Sequence, residues 1–350
     1  MKLLSAIHRW AGGFIGLLLA LLGLTGAILA WEGEWITLPG SGDAVVEDVS
    51  KLAVIIETAS ARGQLSRITF ASDEIGLHQL VYADGSGAYV RQNGLVVDQW
   101  TSQWGRPELW LFELHHRLLA GETGEIVTGV AGIAGLLFVV TGAILWWRSR
   151  RAFRLRALPT RLAPGPIVSH HRDLGLMTAP LLTVSMLTGL LMLFAPMRTM
   201  LLGVEQRPKE TIRVAPRQSA AQVLALAKSR FPQAELRRMT LPARPGDPIT
   251  VRMRQAFEWT PNGRTQISVA ANGAVTIEDA AVANRSASLS EKVYPVHSAR
   301  VGGLAWKVAM TASGIALTLL GSLAMWSFWA RRVHKRAHRR RQARSCEWSG

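Results

Sequence analysis

The amino-acid sequence predicts a helical membrane protein, with four transmembrane helices in two tandem repeats and two α+β domains outside the membrane. Four segments of at least 20 residues carry no charged side chain, and about 20 apolar residues suffice for a helix to cross a bilayer. A motif that joins a His-Arg pair to a Thr-Gly pair runs through the first and the third of these segments. Long polar stretches follow both copies, so each repeat consists of a span, an outer domain and a second span.

These segments divide the 350 residues into eight parts. In chain order we predict a cytoplasmic start with the first span (1–31), an outer domain (32–125), the second span (126–147), a cytoplasmic loop (148–173), the third span (174–197), a second outer domain (198–307), the fourth span (308–330) and a basic cytoplasmic tail (331–350). The first span is expected to be a retained anchor, because Ala30-Trp31-Glu32 is not a small-residue cleavage site.

The distribution of arginine and lysine predicts the orientation. The formal net charge is +16, and basic residues are dense in the loop 148–173 and in the tail 331–350. Because arginine and lysine concentrate in short loops on the cytoplasmic side of a membrane, both termini are expected in the cytoplasm. The protein is then a multi-pass protein of a bacterial inner membrane, with its outer domains in the periplasm. Topology accounts for the basic residues, so the expected partner is the lipid bilayer and not nucleic acid.

Each outer domain has the pattern of a helix followed by strands. In the first domain, Val49 to Arg62 has the apolar spacing of an amphipathic helix, and a hairpin turns at Asn93-Gly94. In the second domain, a helix from Ser219 to Phe231 precedes a hairpin that turns at Asn272-Gly273. His78 is expected at the surface. The first domain is acidic and the second basic, so either the two face each other or the second attracts an anionic ligand.

Four histidines occupy equivalent positions in the two repeats. His8 and His171 each precede a Thr-Gly pair by 17 positions, which is about 26 Å of helix and close to the thickness of a bilayer core. His116 and His297 each precede a glycine by five positions, just before the second and fourth spans. The topology therefore predicts two histidines at each membrane face.

Paired histidines are suitable axial ligands of haem iron, and six-coordinate iron favours electron transfer. We predict two haems b, one near the cytoplasmic face on His8 and His171, and one near the periplasmic face on His116 and His297. The single cysteine, Cys346, excludes a Cys-x-x-Cys-His attachment, so the haems are expected to be bound without covalent links.

Two alternatives stay open at the histidines. His115 precedes His116 and His170 precedes His171; the second of each pair is preferred because it fits the repeat and is followed by arginine. Small residues four and eight positions after the first histidine of each repeat are expected to leave a bare helix face for the macrocycle, although small residues also allow close helix packing. These residues are Gly12, Gly16, Gly175 and Ala179.

The sequence resembles the PepSY-associated transmembrane proteins, inner-membrane proteins often tied to iron uptake. The resemblance rests on His-Arg-Trp-x-Gly at the first span, Leu-His-His-Arg-Leu-Leu before the second, Thr-Gly-x-x-x-Trp-Trp at its end and Val-His before the last. It covers nearly the whole chain, although Gly321-Ser322 stand where the fourth span is expected to have Thr-Gly. The resemblance implies that the outer domains are PepSY-like.

Some members of that family are di-haem reductases of ferric siderophores, which implies the same activity here. Electrons from a separate cytoplasmic or quinol donor are then expected to reduce a ferric siderophore, or another iron chelate, in the periplasm and release iron(II). The donor must be separate because no Gly-x-Gly-x-x-Gly follows a predicted strand. Arg117, Tyr294 and Arg300 are candidate contacts for the chelate. The alternative is a non-redox membrane accessory protein whose outer domains bind peptides or regulate a protease.

Overall fold

The computed structural model describes residues 2–156 and 158–347, with side chains described as far as Val333. The chain forms two compact units. The helical unit draws on three stretches of the chain, Met1–Ala30, Leu111–Phe194 and His297–Gly350. The sheet unit draws on two, Trp31–Trp110 and Ala195–Val296.

The described residues form helices of very different length. In chain order these are α1 (Lys2–Leu29), α2 (Glu32–Trp35), α3 (Val49–Arg62), α4 (Pro107–Arg117), α5 (Gly121–Ser149), α6 (Pro164–Leu193), α7 (Ala195–Leu202), α8 (Ala220–Arg230), α9 (Arg285–Ser290), α10 (Val293–His297) and α11 (Gly303–Glu347). Among residues 2–156 and 158–347, all strands lie in the sheet unit. They are β1 (Leu65–Thr69), β2 (His78–Tyr82), β3 (Gly87–Val90), β4 (Val96–Trp100), β5 (Lys209–Arg213), β6 (Glu235–Thr240), β7 (Ile249–Arg254), β8 (Thr265–Val269) and β9 (Ala274–Glu278).

Four helices, α1, α5, α6 and α11, are long and apolar enough to cross a membrane. This confirms the four predicted spans, but the helices begin earlier than the charge-free segments do. A charged residue ends an apolar segment without ending a helix, so hydropathy alone places helix boundaries too far inside. The third span ends at Leu193 and not at 197, because the backbone leaves the helix at Phe194 and a new helix, α7, starts at Ala195.

The four long helices form a bundle in which each helix has two neighbours. Helix α1 packs along α11, α11 on α6, α6 on α5 and α5 on α1. Glycine brings α1 and α11 together: a methyl group added at Gly16 meets the carbonyl oxygen of Gly321 at 2.9 Å, and one at Gly23 meets that of Gly314 at 2.6 Å. Small residues at such positions allow two backbones to approach within a membrane.

The sheet unit contains one antiparallel sheet of nine strands in the order β4-β3-β2-β1-β6-β7-β8-β9-β5. The sequence predicts two separate outer domains, whereas the structure joins both segments in this sheet. The junction is the pairing of β1 with β6, in which Ile68 lies opposite Met239. Both side chains are fully buried in an apolar core that also includes residues of α3 and α8. Joining the segments therefore gives them a shared core.

Several local predictions for this unit are confirmed. Helix α3 has the predicted bounds, and both predicted hairpins turn at a glycine in the left-handed region, Gly94 (φ +90°) and Gly273 (φ +81°). The side chain of Ser219 caps α8 by accepting from the backbone N–H of Gln222. Strands β5 and β6 were not predicted.

Candidate cofactor-binding site

The first pair of facing imidazoles consists of His8 and His171. His8 lies near the start of α1 and His171 lies in the first third of α6. Their ring centroids are 6.1 Å apart and the ring planes are nearly perpendicular, at 82°. His170, the alternative to His171, is fully buried elsewhere, with no hydrogen-bond partner for either ring nitrogen among the described residues. The two histidines that the sequence pairs at one membrane face are therefore brought together.

The second pair consists of His115, near the end of α4, and His297, at the end of α10. Their ring centroids are 6.2 Å apart, with the planes at 43°. The sequence favours His116 at this position, but the ring of His116 stacks on Phe112 at 5.7 Å. The pairing of His116 with His297 is therefore corrected to His115 with His297.

This difference arises because the second and fourth spans start at positions that the motif does not predict. The motif pairs Gly121 with Gly302, which makes His116 the counterpart of His297. In the structure the spans start at Gly121 and Gly303. Counted back from these two residues, the equivalent histidines are His115 and His297, each six positions before its helix.

A tight backbone corner joins each histidine of the second pair to the following span. Leu118 and Leu119 adopt φ values of 51° and 59° between α4 and α5, and Ala299 adopts 59° between α10 and α11. Residues other than glycine seldom adopt this left-handed backbone region, and each one that does lowers the stability of the fold by about 1–3 kcal/mol. Gly124 then lies so close to the carbonyl of Arg117 that no side chain fits there. A strained corner therefore separates each of these two histidines from the span that follows it.

A threonine fixes the orientation of His8. Its Nδ1 lies 2.7 Å from the hydroxyl oxygen of Thr141 on α5. That hydroxyl donates its only hydrogen to the carbonyl of Leu137, at 2.7 Å, so it accepts from the imidazole. Nδ1 therefore carries the proton, and the lone pair of Nε2 is available to a metal ion.

The second pair is oriented in the same way. The Nδ1 of His115 lies 2.9 Å from the hydroxyl oxygen of Thr25, which donates to the carbonyl of Leu21. The Nδ1 of His297 lies 3.1 Å from the hydroxyl of Thr188 and 3.0 Å from the carbonyl of Ser185. Because a carbonyl can only accept, Nδ1 of His297 is the donor.

The glycine after each of these threonines leaves room for the imidazole ring. A methyl group added at Gly26 lies 2.9 Å from Cε1 of His115, one at Gly189 lies 3.1 Å from Cε1 of His297, and one at Gly142 lies 3.7 Å from Cε1 of His8. In the sequence the Thr-Gly pair only marks the repeat. In the structure its threonine binds the Nδ1 of a histidine and its glycine leaves space for the ring. We call these three pairs, Thr25-Gly26, Thr141-Gly142 and Thr188-Gly189, the Thr-Gly seats.

His171 is the exception. Its Nδ1 is buried and has no hydrogen-bond partner among the described residues. The fourth span also lacks the Thr-Gly pair that the sequence pattern leads one to expect. The missing Thr-Gly pair explains the missing hydrogen-bond partner, because a Thr-Gly seat provides the Nδ1 acceptor at the other three histidines.

The electrostatic surroundings keep the second pair neutral. Burial lowers the pKa of His115 to about 3, with a smaller effect from the neighbouring histidines. Burial also lowers the pKa of His297, against the opposing effect of its hydrogen bond to the Ser185 carbonyl. A neutral imidazole is the form that ligates a metal ion.

The arrangement of each pair fits an axial ligand set. A bond from an imidazole nitrogen to a transition metal is about 2 Å long, so rings on opposite sides of one metal ion have centroids about 6 Å apart. Among the described residues no group of three or more His, Cys, Asp or Glu side chains is placed to hold a metal ion. Two imidazoles alone are a poor site for a bare ion, but they would provide the two protein ligands of a haem iron.

The small residues expected to face the macrocycle divide into two groups. A methyl group added at Gly12 meets no atom within 4 Å, and one at Gly175 meets only Leu320 at 3.8 Å. Both positions therefore have open space next to them. Gly16 is instead in contact with the α11 backbone, so its small size serves helix packing. For Ala179 the structure shows a backbone carbonyl that accepts from Thr183.

The residues expected to contact a chelate are distributed over both units. Arg117 is engaged in ion pairs with Glu125 at 3.1 Å and Glu113 at 3.8 Å. Arg300 lies between α10 and α11 in the helical unit, and Tyr294 lies on α10 within the sheet unit.

His78 is buried and not at the surface. Its Nδ1 accepts from the backbone N–H of Ala71 at 2.9 Å, and burial lowers the pKa of His78 to about 4. The expectation of a surface histidine was wrong because β2 places this residue on a covered face of the sheet.

The sequence matches the PepSY-associated TM region over residues 5–332, and thus over all four spans and both segments of the sheet. No match is found among curated proteins. The match and the four membrane-length helices agree with the resemblance noted from the motifs. The chain belongs to the family of membrane proteins defined by the PepSY-associated TM region.

Proposed function

We propose that this protein is a di-haem oxidoreductase of a bacterial inner membrane, which moves electrons across the membrane and reduces a ferric chelate in the periplasm. The observation that carries the proposal is the presence of two facing imidazole pairs in one four-helix unit. His8 belongs to the first pair and Thr25 supports the second. These residues are 17 positions apart on α1, about 26 Å of helix, so the pairs lie at opposite ends.

Each pair has a defined role in this proposal. His8 and His171 would hold one haem b, and His115 and His297 would hold the other. For His8, His115 and His297 the ligating atom would be Nε2. Haem iron with two imidazole ligands supplies one-electron transfer without an open position for oxygen chemistry. The Thr-Gly seats keep the imidazole of each seated ligand in the tautomer and the orientation that ligation needs.

The orientation follows from the basic segments. The loop 148–173 and the tail 331–350 carry most of the arginines near the spans, which favours a cytoplasmic position for both. The first pair is then the cytoplasmic one, where a separate cytoplasmic or quinol donor delivers electrons. The second pair and the PepSY-like sheet segments are periplasmic. The matching order of span, sheet segment and span suggests tandem duplication.

The substrate class follows from the chemistry of iron. Siderophores hold iron(III) through hard oxygen donors, and reduction to the softer iron(II) weakens that hold. The second sheet segment carries an excess of basic residues, which suits an anionic chelate. Donor and chelate are both separate from this chain.

Electron transfer across a sealed membrane tests the proposal. The haem-loaded protein is reconstituted into vesicles that contain ascorbate, and a ferric siderophore is added outside with a chelator that becomes coloured on binding iron(II). We expect colour to develop with the wild-type protein, and to fall to the rate of empty vesicles with His297→Ala. Equal rates for wild-type and empty vesicles would contradict the proposed activity.

A non-redox accessory protein is the second candidate, and one observation favours it. A groove of about 820 Å³ lies between α3 and strands β2 to β4, and β4 is an edge of the sheet. A peptide can add to such an edge as a further strand. Protein that remains colourless when purified from haem-replete cells, yet binds peptides, would favour this candidate.

A further inference from the structure

One face of the nine-stranded sheet carries a row of arginines. Ile68, Met239 and Val251 are fully buried in the core shared with α3 and α8. Side chains alternate between the two faces of a strand, so the neighbouring residues project from the opposite face. These neighbours are Arg67 on β1, Arg238 on β6 and Arg252 on β7, and we call them the arginine row.

The three guanidinium groups are close together because their strands are adjacent. Arg238 lies directly opposite Arg252 in the pairing of β6 with β7. Arg67 lies opposite Thr240, two residues along β6 from Arg238. Like charges that face each other across neighbouring strands destabilise a sheet, so this arrangement costs stability unless an anion is near.

Burial adds to the cost. It is the largest effect that lowers the pKa of each of the three arginines, and for Arg238 it acts with repulsion from Arg67 and Arg252 to lower the pKa to about 10. The Nε of Arg67 is buried and has no hydrogen-bond partner among the described residues. A buried guanidinium donor without an acceptor is rare in folded proteins.

No carboxylate contacts the row within the part of the chain whose side chains are described. The nearby acids, Glu258 and Glu278, act electrostatically on Arg252 but form no ion pair with it. Several other partly buried arginines of the unit form ion pairs, as Arg106 does with Glu108 at 2.8 Å. The three arginines of the row form none with the described carboxylates.

We propose that the arginine row is a binding site for an oxyanion, the carboxylate or phosphate group of a ligand. The planar fork of a guanidinium pairs with such groups through two parallel hydrogen bonds. Three forks on adjacent strands select a ligand with several oxyanion oxygens. The proposal does not depend on haem binding, because it concerns other residues in the other unit; an anionic ferric chelate is one ligand with this chemistry.

Calorimetric titration of the detergent-purified full-length protein tests the site. The probes are citrate and inorganic phosphate, and nanodiscs with and without phosphatidylglycerol test a lipid headgroup as the source. Arg238→Gln removes one charge from the row, and Arg67→Gln is a second variant in case the first does not fold. The matched control is Arg213→Gln, which removes the same charge from an exposed position on the edge strand β5.

We expect at least one free anion to bind saturably, with affinity about tenfold lower or more in Arg238→Gln and nearly unchanged in Arg213→Gln. Without an anion, Arg238→Gln is expected to unfold at a higher temperature than wild type, because repulsion is relieved. If neither free anion binds, but the wild-type protein retains more phosphatidylglycerol than Arg238→Gln, the headgroup is the source. Absence of saturable binding by every probe, or equal binding by Arg238→Gln and Arg213→Gln, overturns the proposal.

Discussion

The hydrogen bond at Nδ1 is the residue-scale feature that gives the facing histidines their chemistry. An imidazole that donates through Nδ1 presents the Nε2 lone pair, and the acceptor at Nδ1 raises its basicity as a ligand. His8, His115 and His297 each have a threonine in this position. The Nδ1 of His8 contacts the hydroxyl of Thr141, whereas the Nδ1 of His297 contacts both the hydroxyl of Thr188 and the carbonyl of Ser185.

This difference predicts unequal effects of removing the threonines. In Thr141→Val the Nδ1 of His8 loses its acceptor, and we expect haem affinity at the first pair to fall about 10–100-fold. In Thr188→Val the loss is expected to be smaller, because Nδ1 of His297 keeps the Ser185 carbonyl. Haem retention during dialysis, with the midpoint potential of each haem, measures both effects.

Thr183→Val is the matched control for these two variants. Among the residues whose side chains are described, the hydroxyl of Thr183 bonds only to the carbonyl of Ala179 in its own helix. The variant therefore removes the same group from a transmembrane threonine without affecting a histidine. A loss in Thr183→Val as large as in Thr141→Val would mean that the hydroxyls support only the helices, and would contradict the orienting role.

At the scale of residues, the sequence predicts which segments carry the paired histidines, but not always which histidine of a segment is in the pair. The spacing of His8 and His171 identified two residues that do face each other, since both lie within uninterrupted helices. The sequence favours His116, whereas the structure places His115 next to His297, because the choice depends on where a strained corner ends and α5 begins. That boundary is set by Gly121 and by contacts with the rest of the bundle, which no local pattern records.

At the scale of elements, the close approach of each span to an imidazole depends on glycine. The space left at Gly26 is tighter than at Gly142: an added methyl lies 2.9 Å from His115 in the first case and 3.7 Å from His8 in the second. The first distance requires the ring to move, while the second is an ordinary contact. The two glycines hold equivalent places in the Thr-Gly seats, so they form a matched pair.

We therefore expect Gly26→Ala to displace His115 and to lose the haem of the second pair. Gly142→Ala is expected to keep both haems, since its methyl group fits. The absorbance spectrum of the two purified variants, quantified per chain, distinguishes these outcomes. Equal haem content in Gly26→Ala and Gly142→Ala would show that the geometry of the Thr-Gly seats does not control ligation.

The sequence predicted elements well where one pattern dominates. Helix α3 has a single apolar face, and its bounds were predicted to the residue. Strand β6 was missed because its pairing with β7 shifts register between Leu236 and Arg238, which breaks the alternation of apolar and polar residues. Two adjacent arginines, Arg237 and Arg238, further obscure the alternation in that strand.

At the scale of the whole molecule, the chain combines a bundle of four membrane-length helices with a single sheet assembled from two distant segments. The number of spans could be read from hydropathy, since each span is long and free of charge. The continuous sheet could not be predicted, because the pairing of β1 with β6 joins residues about 170 positions apart. The alternation of apolar and polar residues along a strand does not identify the strand with which it pairs. The pairing of histidines across helices is non-local in the same sense.

The central claim is that two imidazole pairs hold two haems, and haem stoichiometry in histidine variants tests it most directly. The pyridine haemochrome assay is applied to wild type, His8→Ala, His115→Ala and His116→Ala, each purified from haem-replete cells. We predict two haems per chain in wild type, one in His8→Ala, one in His115→Ala and two in His116→Ala. Colourless wild-type protein, or a haem lost from His116→Ala while His115→Ala retains both, would contradict the account.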